Sequence, residues 1–306
     1  MGTIPICYLQ FMADSPWGPI SVSDAHVHFF SPNFFQLLTA QKPGVDLATA
    51  LGWEIPVADE LGGRWIAELD HHGVDRATLI ASHPQDAASV SAVALAHPTR
   101  FYGFTMFDPI HQDAAAVLNS NSGIRGLCLF PALHRYSLHD PKCAEAIRQC
   151  AGRAAVFVHC GILSLGFRRK LGIPTIIDPR YSNPLEIESL AHANPDVRFI
   201  IPHFGAGMLR EALMVASQCP NIYLDTSSSN SWMKIEGLDL RTVLHRSMDT
   251  LGYKRLLFGT DSSFFPRGWH LPVFEEQAKA LYELGLSKEE AEFVLGGNLA
   301  RVLDFS

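Results

Sequence analysis

The chain has 306 residues, with 24 Lys+Arg against 31 Asp+Glu, a formal charge of −7 at pH 7. That balance argues against a nucleic-acid-binding surface or a patch for anionic membranes. A hydrophobic fraction of 47% with 18% charged residues excludes a disordered chain. The six cysteines (Cys7, Cys128, Cys143, Cys150, Cys160 and Cys219) form no CxxC pair, which reads as reduced thiols in a cytoplasmic protein.

The opening MGTIPICYLQFMADSP is apolar, but it has no basic flank and falls short of the ~20 residues of a membrane span. It reads as a packed N-terminal arm. Eight short apolar runs follow, at residues 20–26, 76–82, 101–107, 124–130, 155–160, 198–204, 222–227 and 255–261. Their near-continuous apolarity is that of strands buried on both faces of a parallel sheet. Between them lie helical patterns at 58–72, 86–96, 112–118, 141–151, 184–193, 206–217 and 240–251, and two more helices at 272–284 and 287–294 close the chain. Eight strands, each followed by a helix, predict an α/β fold. It is a (β/α)8 TIM barrel in one domain over residues 1–306, with extra C-terminal helices. An open doubly wound sheet would carry a Gly-rich phosphate turn after its first strand. Here that strand ends in His-Val-His instead.

Barrel enzymes draw their chemistry from the C-terminal ends of strands. The first strand ends Asp24-Ala-His26-Val-His28, and residues two apart in a strand point to the same side. The fifth ends in His159, the sixth in His203 and the eighth in Asp261. Taken as neighbouring strand ends, these four histidines and one aspartate suit a divalent cation such as Zn²⁺ with a position left open for water. A single strand-terminal histidine is more often a hydrogen-bonded structural residue; an HxH with two further histidines and an aspartate in barrel order is not. His71, His72, His97, His192 and His245 read as solvated surface.

The ordered series DAHVH, VHCG, PHFGAG and GTDSSF, with GNLAR at 297–301, resembles the amidohydrolase superfamily over residues 21–303. Within it, the chain is similar to the amidohydrolase-related group of lactone hydrolases and non-oxidative decarboxylases. The resemblance implies His26, His28, His159 and Asp261 as ligands of one divalent metal ion, Zn²⁺ first and Mn²⁺ second, although some relatives use none. His203 and Asp261 would be the catalytic pair, and homodimers are frequent among relatives. Two-metal members carry a carboxylated lysine or a glutamate after strand four, where this chain has Leu129-Phe130-Pro131.

A divalent cation lowers the pKa of its water from about 15.7 toward ~7. Asp261 would accept the proton, and His203 would polarise a carbonyl or shuttle protons. The expected reaction is hydrolysis of a small anionic or cyclic substrate, a lactone or amide. The alternative is decarboxylation of an aromatic or unsaturated acid, and a metal-free binding barrel ranks last. The connection at 161–183 reads as a cap offering Arg168 or Arg169 to a carboxylate or phosphate. Phe29, with Phe30, Phe34, Phe35 and Trp53, is expected to form an apolar wall, and Arg267 to face the substrate from the loop after strand eight. His134, Arg135 and Tyr136 form a weaker cluster. Cys160 should face away from the mouth, and the serine run at 227–229 lacks a visible His–Asp partner.

Overall fold

The computed structural model describes residues 12–57, 60–227 and 231–305. Most of the proposed N-terminal arm, Cys7, the first residues of the helix expected at 58–72, and Ser228 and Ser229 lie outside the described residues. The eight strands are β1 (Ser23–Phe29), β2 (Arg76–Ala81), β3 (Phe101–Phe107), β4 (Ile124–Leu129), β5 (Ala155–Val158), β6 (Phe199–Ile201), β7 (Ile222–Asp225) and β8 (Leu256–Leu257). They form one sheet in sequence order, each strand parallel to the next. The two-residue β8 is drawn onto β1 by Ala25 N–H to Phe258 O (2.8 Å), His28 N–H to Ser262 O (2.7 Å) and Asp261 N–H to His26 O (3.0 Å). A parallel bridge between Val27 and Ser262 completes the closure. The fold is the (β/α)8 barrel that the strand–helix alternation predicts.

Side-chain alternation sorts the core into two layers. Ile80, Phe104, Cys128, Phe157, Ile200 and Leu257 fill the barrel interior, with Leu299, Val302 and Leu303 of the C-terminal helix Asn298–Leu303 packed against them. Val27, Leu79, Leu127, Val156 and Leu224 face outward to the helices. Gly126 makes room for the interior: a Cβ there would lie 2.5 Å from the Phe104 ring.

Among the elements that depart from the expected bounds, the strand expected at 255–261 pairs only over Leu256–Leu257, and two others bear on how the barrel closes. The first strand starts at Ser23 rather than residue 20, because Ile20 pairs antiparallel with Ala13 and so belongs to a separate turn. The last expected helix ends early. Lys288–Glu292 runs into a π-helical turn, Phe293–Gly297, that sets Val294 O to accept from Phe258 N–H (3.0 Å) and brings Gly296 against Ser23. The described cysteines are all free and buried. Among the described residues, no helix is long and apolar enough to cross a membrane.

Candidate metal centre

His26, His28 and Phe30 follow the two-residue period of β1 toward the barrel mouth, while Val27 and Phe29 turn outward. Three donors converge there. His26 Nε2 lies 3.7 Å and His28 Nε2 3.3 Å from Asp261 Oδ1, and one ligand atom from each residue falls within 4.8 Å of the others.

The remaining ring nitrogens fix the tautomers. His26 Nδ1 meets Asp225 Oδ2 at 2.7 Å, a group that only accepts when ionised, so that nitrogen carries a proton. His28 Nδ1 lies 2.7 Å from Ser82 Oγ, whose hydroxyl donates to Ile80 O (3.4 Å), so Nδ1–H is again the donor. In their neutral forms both imidazoles therefore present an Nε2 lone pair to the shared point. This is the arrangement in which outer partners orient metal-ligating histidines. Burial alone would lower the pKa of His26, but the Asp225 carboxylate, with Asp261 and Asp24, lifts it to about 9. Burial would raise that of Asp261, yet hydrogen bonding to His28 and the neighbouring His26 charge hold it well below the ordinary carboxylate value. The point between them favours positive charge. Two histidines and one carboxylate with room beside them fit a divalent ion that keeps an open position.

The backbone is under local strain at this centre. Asp261 (φ 59°), His203 (φ 54°), Phe204 (φ 54°) and Ala206 (φ 46°) occupy the left-handed region, at about 1–3 kcal/mol each for residues other than glycine. Around Asp261 the strain is offset by Asp24, which is fully buried and accepts from His26 N–H (2.9 Å), Thr260 N–H (3.1 Å), Thr260 Oγ1–H (2.5 Å) and Trp269 Nε1–H (2.8 Å). Burial raises the Asp24 pKa to about 6, with these hydrogen bonds acting against it. Gly259 allows the close approach, since a Cβ there would meet Asp225 Oδ1 at 2.8 Å and His26 Cβ at 3.0 Å.

His159 and His203 lie beside this charged group, the His203 ring 5.0 Å from that of His26. Burial, with the neighbouring imidazoles, pushes the pKa of His159 well below its ordinary value, and burial with the His26 charge lowers that of His203. His203 Nδ1 lies 3.2 Å from the Ser227 carbonyl, which only accepts, so its Nε2 holds a lone pair. The His159 ring lies 5.4 Å from that of His203 and stacks on Phe130 at 5.3 Å. It is outside the three-residue donor group. The strand ends expected to neighbour one another lie on one arc of the closed barrel, β5, β6, β8 and β1 with β7 intervening, and β5 at its far end stands opposite β1.

A cavity of about 810 Å³ opens over these groups. His26, His28, His159, His203, Asp261, Arg168 and Arg267 all line it. Two expected substrate contacts do not. Phe29 is buried in the outward-facing core and Phe30 takes its place, while Arg169 is exposed and lines only a shallow neighbouring groove. His134 lines the cavity but Arg135 and Tyr136 do not. Cys160 packs in the outer core, as alternation requires. Ser227 does meet histidines: its hydroxyl lies 3.0 Å from Nδ1 of both His26 and His203, fully buried, where it bridges the two rings. Asp225 and Ser82 were not anticipated as parts of the site.

The barrel carries a cluster of two histidines and one carboxylate at its mouth. The Amidohydrolase family model matches residues 23–305, and the chain belongs to that family. It is 29% identical over 117 residues to protein fluG of Emericella nidulans; the match spans 38% of this chain and 13% of that relative's length. Solved structures share the fold at low identity. A probable 2-pyrone-4,6-dicarboxylic acid hydrolase from Acinetobacter baumannii has TM-score 0.60 and 16% identity, covering 94% of this chain and 100% of its own. An amidohydrolase from Burkholderia multivorans with bound zinc has TM-score 0.63 and 14% identity, covering 94% and 100%. A 5-carboxyvanillate decarboxylase from Novosphingobium aromaticivorans with bound manganese has TM-score 0.61 and 11% identity, covering 93% and 96%.

Proposed function

We propose that the chain is a metal-dependent hydrolase that opens a small cyclic or ester-like substrate, a lactone or amide, at the His26–His28–Asp261 centre. The observation that carries this reading is the convergence of three donors within 4.8 Å of one another, with both imidazoles oriented through their far nitrogens. One divalent ion, Zn²⁺ first and Mn²⁺ second, suits the donor set. When bound there, such an ion supplies Lewis acidity that brings the pKa of water toward ~7.

The side chains do the rest. Asp261 Oδ1 faces the two imidazoles, which leaves Oδ2 to take the proton of the attacking water. His203, kept neutral by burial and anchored through Nδ1, turns an accepting Nε2 to the cavity; it would take the water's proton from Asp261 on that nitrogen and deliver it to the leaving oxygen or nitrogen, returning to its neutral form. His159, neutral and opposite, fixes the substrate side of the mouth. Arg168 and Arg267 both line the cavity, but their tasks differ. Arg267 donates through Nη2 to Asp261 O (3.0 Å) and Ser263 Oγ (2.8 Å), steadying the ligand loop. Arg168 is the group that meets the substrate's anionic end.

The test is a panel of five- and six-membered lactones and cyclic amides followed by acid release at constant pH. Acid release that stops on chelation and returns with Zn²⁺ or Mn²⁺ is the expected result. Release of CO₂ from aromatic acids with no hydrolysis of any panel member would move the assignment to decarboxylation.

A further inference from the structure

Strand β7 ends at Asp225, and the chain runs on through Thr226 and Ser227, all three fully buried. Asp225 Oδ2 takes His26 Nδ1–H (2.7 Å), while Oδ1 takes the backbone N–H of Ser227 (2.6 Å). A carboxylate that accepts from the N–H two residues on closes an Asx turn, which holds Ser227 beside it. Thr226 Oγ1 donates to Gln277 Oε1 (2.6 Å), and Gln277 Nε2 donates to the carbonyls of Thr226 (2.9 Å) and Gly259 (3.1 Å). The ends of β7 and β8 are thereby tied to the helix Leu271–Glu283. Gly259 lets them close up, since a Cβ there would lie 3.0 Å from that of Ser227. The place of Ser227 is thus set by its backbone and neighbours, not by the imidazoles it meets.

Ser227 brings two oxygens to one nitrogen. His203 Nδ1 lies 3.2 Å from its carbonyl and 3.0 Å from its hydroxyl, and the same hydroxyl lies 3.0 Å from His26 Nδ1. A carbonyl only accepts, so the proton belongs on His203 Nδ1, and the hydroxyl oxygen takes a share of it in a three-centre bond. The rival tautomer would set the Nδ1 lone pair against the carbonyl and turn a donor, not an acceptor, to the cavity. His26 depends on the serine less, because the Asp225 carboxylate already holds its proton in a charge-assisted bond. Both oxygens on His203 are neutral, so that ring is fixed in direction without being given a charge.

We propose that Ser227 is a positioning residue for His203: its carbonyl and hydroxyl together hold the ring in the Nδ1–H tautomer, so that Nε2 faces the cavity as an acceptor. The metal platform rests on Asp225 instead. Assigning that acceptor to proton transfer rests on the hydrolase reading of the site; the tautomer itself does not.

The test is two-bond ¹H–¹⁵N correlation spectroscopy of the full chain with ¹⁵N-labelled histidine, after chelation and at about pH 8, above the ordinary imidazole pKa. The His203 signals are assigned by their loss in His203→Gln. The wild type should show His203 with Nδ1 protonated and Nε2 bare. Ser227→Ala keeps the carbonyl and loses the hydroxyl. It should raise the ratio of Nε2–H to Nδ1–H forms of His203 about fivefold, the order of one neutral hydrogen bond. Nδ1 of His26, held by Asp225, should stay protonated, and Ser227→Thr, which restores a hydroxyl, should return the His203 ratio. In the metal-loaded chain Ser227→Ala should keep its metal content and KM and lose about tenfold in kcat on any lactone hydrolysed, part of what a positioned acid–base group contributes. A wild-type His203 in the Nε2–H form would overturn the proposal, and that reading needs no variant to fold. So would a Ser227→Ala chain with a lowered melting temperature and an unchanged His203 ratio, the mark of a merely structural serine. A tautomer shift without hydrolysis of any lactone or cyclic amide would sink the hydrolase reading and leave this one standing. Hydrolysis without the shift would sink this proposal alone.

Discussion

The two sides of the barrel mouth are built on opposite electrostatic rules. On the side of β1, β7 and β8, charges are gathered and saturated: Asp225 holds His26, Asp24 ties β1 to the loop carrying Asp261, and Asp261 faces two imidazoles. On the side of β5 and β6, His159 and His203 are buried, among the described residues no carboxylate is hydrogen-bonded to either ring, and burial keeps them neutral. Histidines of the same type at equivalent strand ends thus serve different ends. Where a carboxylate backs the ring, it becomes a platform for positive charge; where burial dominates, it becomes a neutral acceptor.

Removing the charged side should have the largest effect. Asp261→Ala or His28→Ala should abolish hydrolysis, on the order of a thousandfold or more, because the donor group falls from three to two; steady-state rates with and without added Zn²⁺ measure it. Asp225→Asn comes next, with an expected loss of about 10–100-fold in metal affinity or activity through misorientation of His26. A competition titration with a chromogenic chelator reads it, and unchanged affinity would break the link between Asp225 and the platform.

The neutral side is sharpened by pH. His159 and His203 have folded-state pKa values below the ordinary 6.5, so the unfolded chain binds more protons and their contribution to stability grows with pH. That contribution is complete above about 6.5 and is lost as pH falls from there toward the folded-state values. Melting temperature across pH 4–8 should therefore fall on the acid side, and His159→Gln should flatten the fall. Trp269→Phe removes one donor from buried Asp24 and should cost about 1–3 kcal/mol, seen in denaturant unfolding. The smallest effect belongs to Arg169→Ala, exposed and off the cavity, expected within about 0.5 kcal/mol and with KM unchanged.

The barrel was legible because parallel strands buried on both faces leave unbroken apolar runs, as in β3, where every residue is buried. Strand ends were less so: β8 is two residues long because the chain leaves the sheet to form the Asp261 loop, a turn its apolar sequence does not announce. That His26, His28 and Asp261 converge was readable from their place after strands. The same two-residue period that pairs His26 with His28 continues to Phe30, so choosing Phe29 missed a signal already present. Asp225 and Ser82 lay beyond reach, because each acts by meeting a histidine far away in sequence, 199 and 54 residues respectively, and only closure of the barrel brings them together.

The most direct test of the two-sided mouth is the metal content of the chain purified without added metal or chelator, by elemental analysis, for the wild type, His28→Ala, Asp261→Asn and His159→Ala. The account predicts about one equivalent of zinc or manganese in the wild type and in His159→Ala, and its loss in the other two. Loss of metal from His159→Ala to the same degree as from His28→Ala, in a protein that remains folded by circular dichroism, would contradict the division and return His159 to the ligand set.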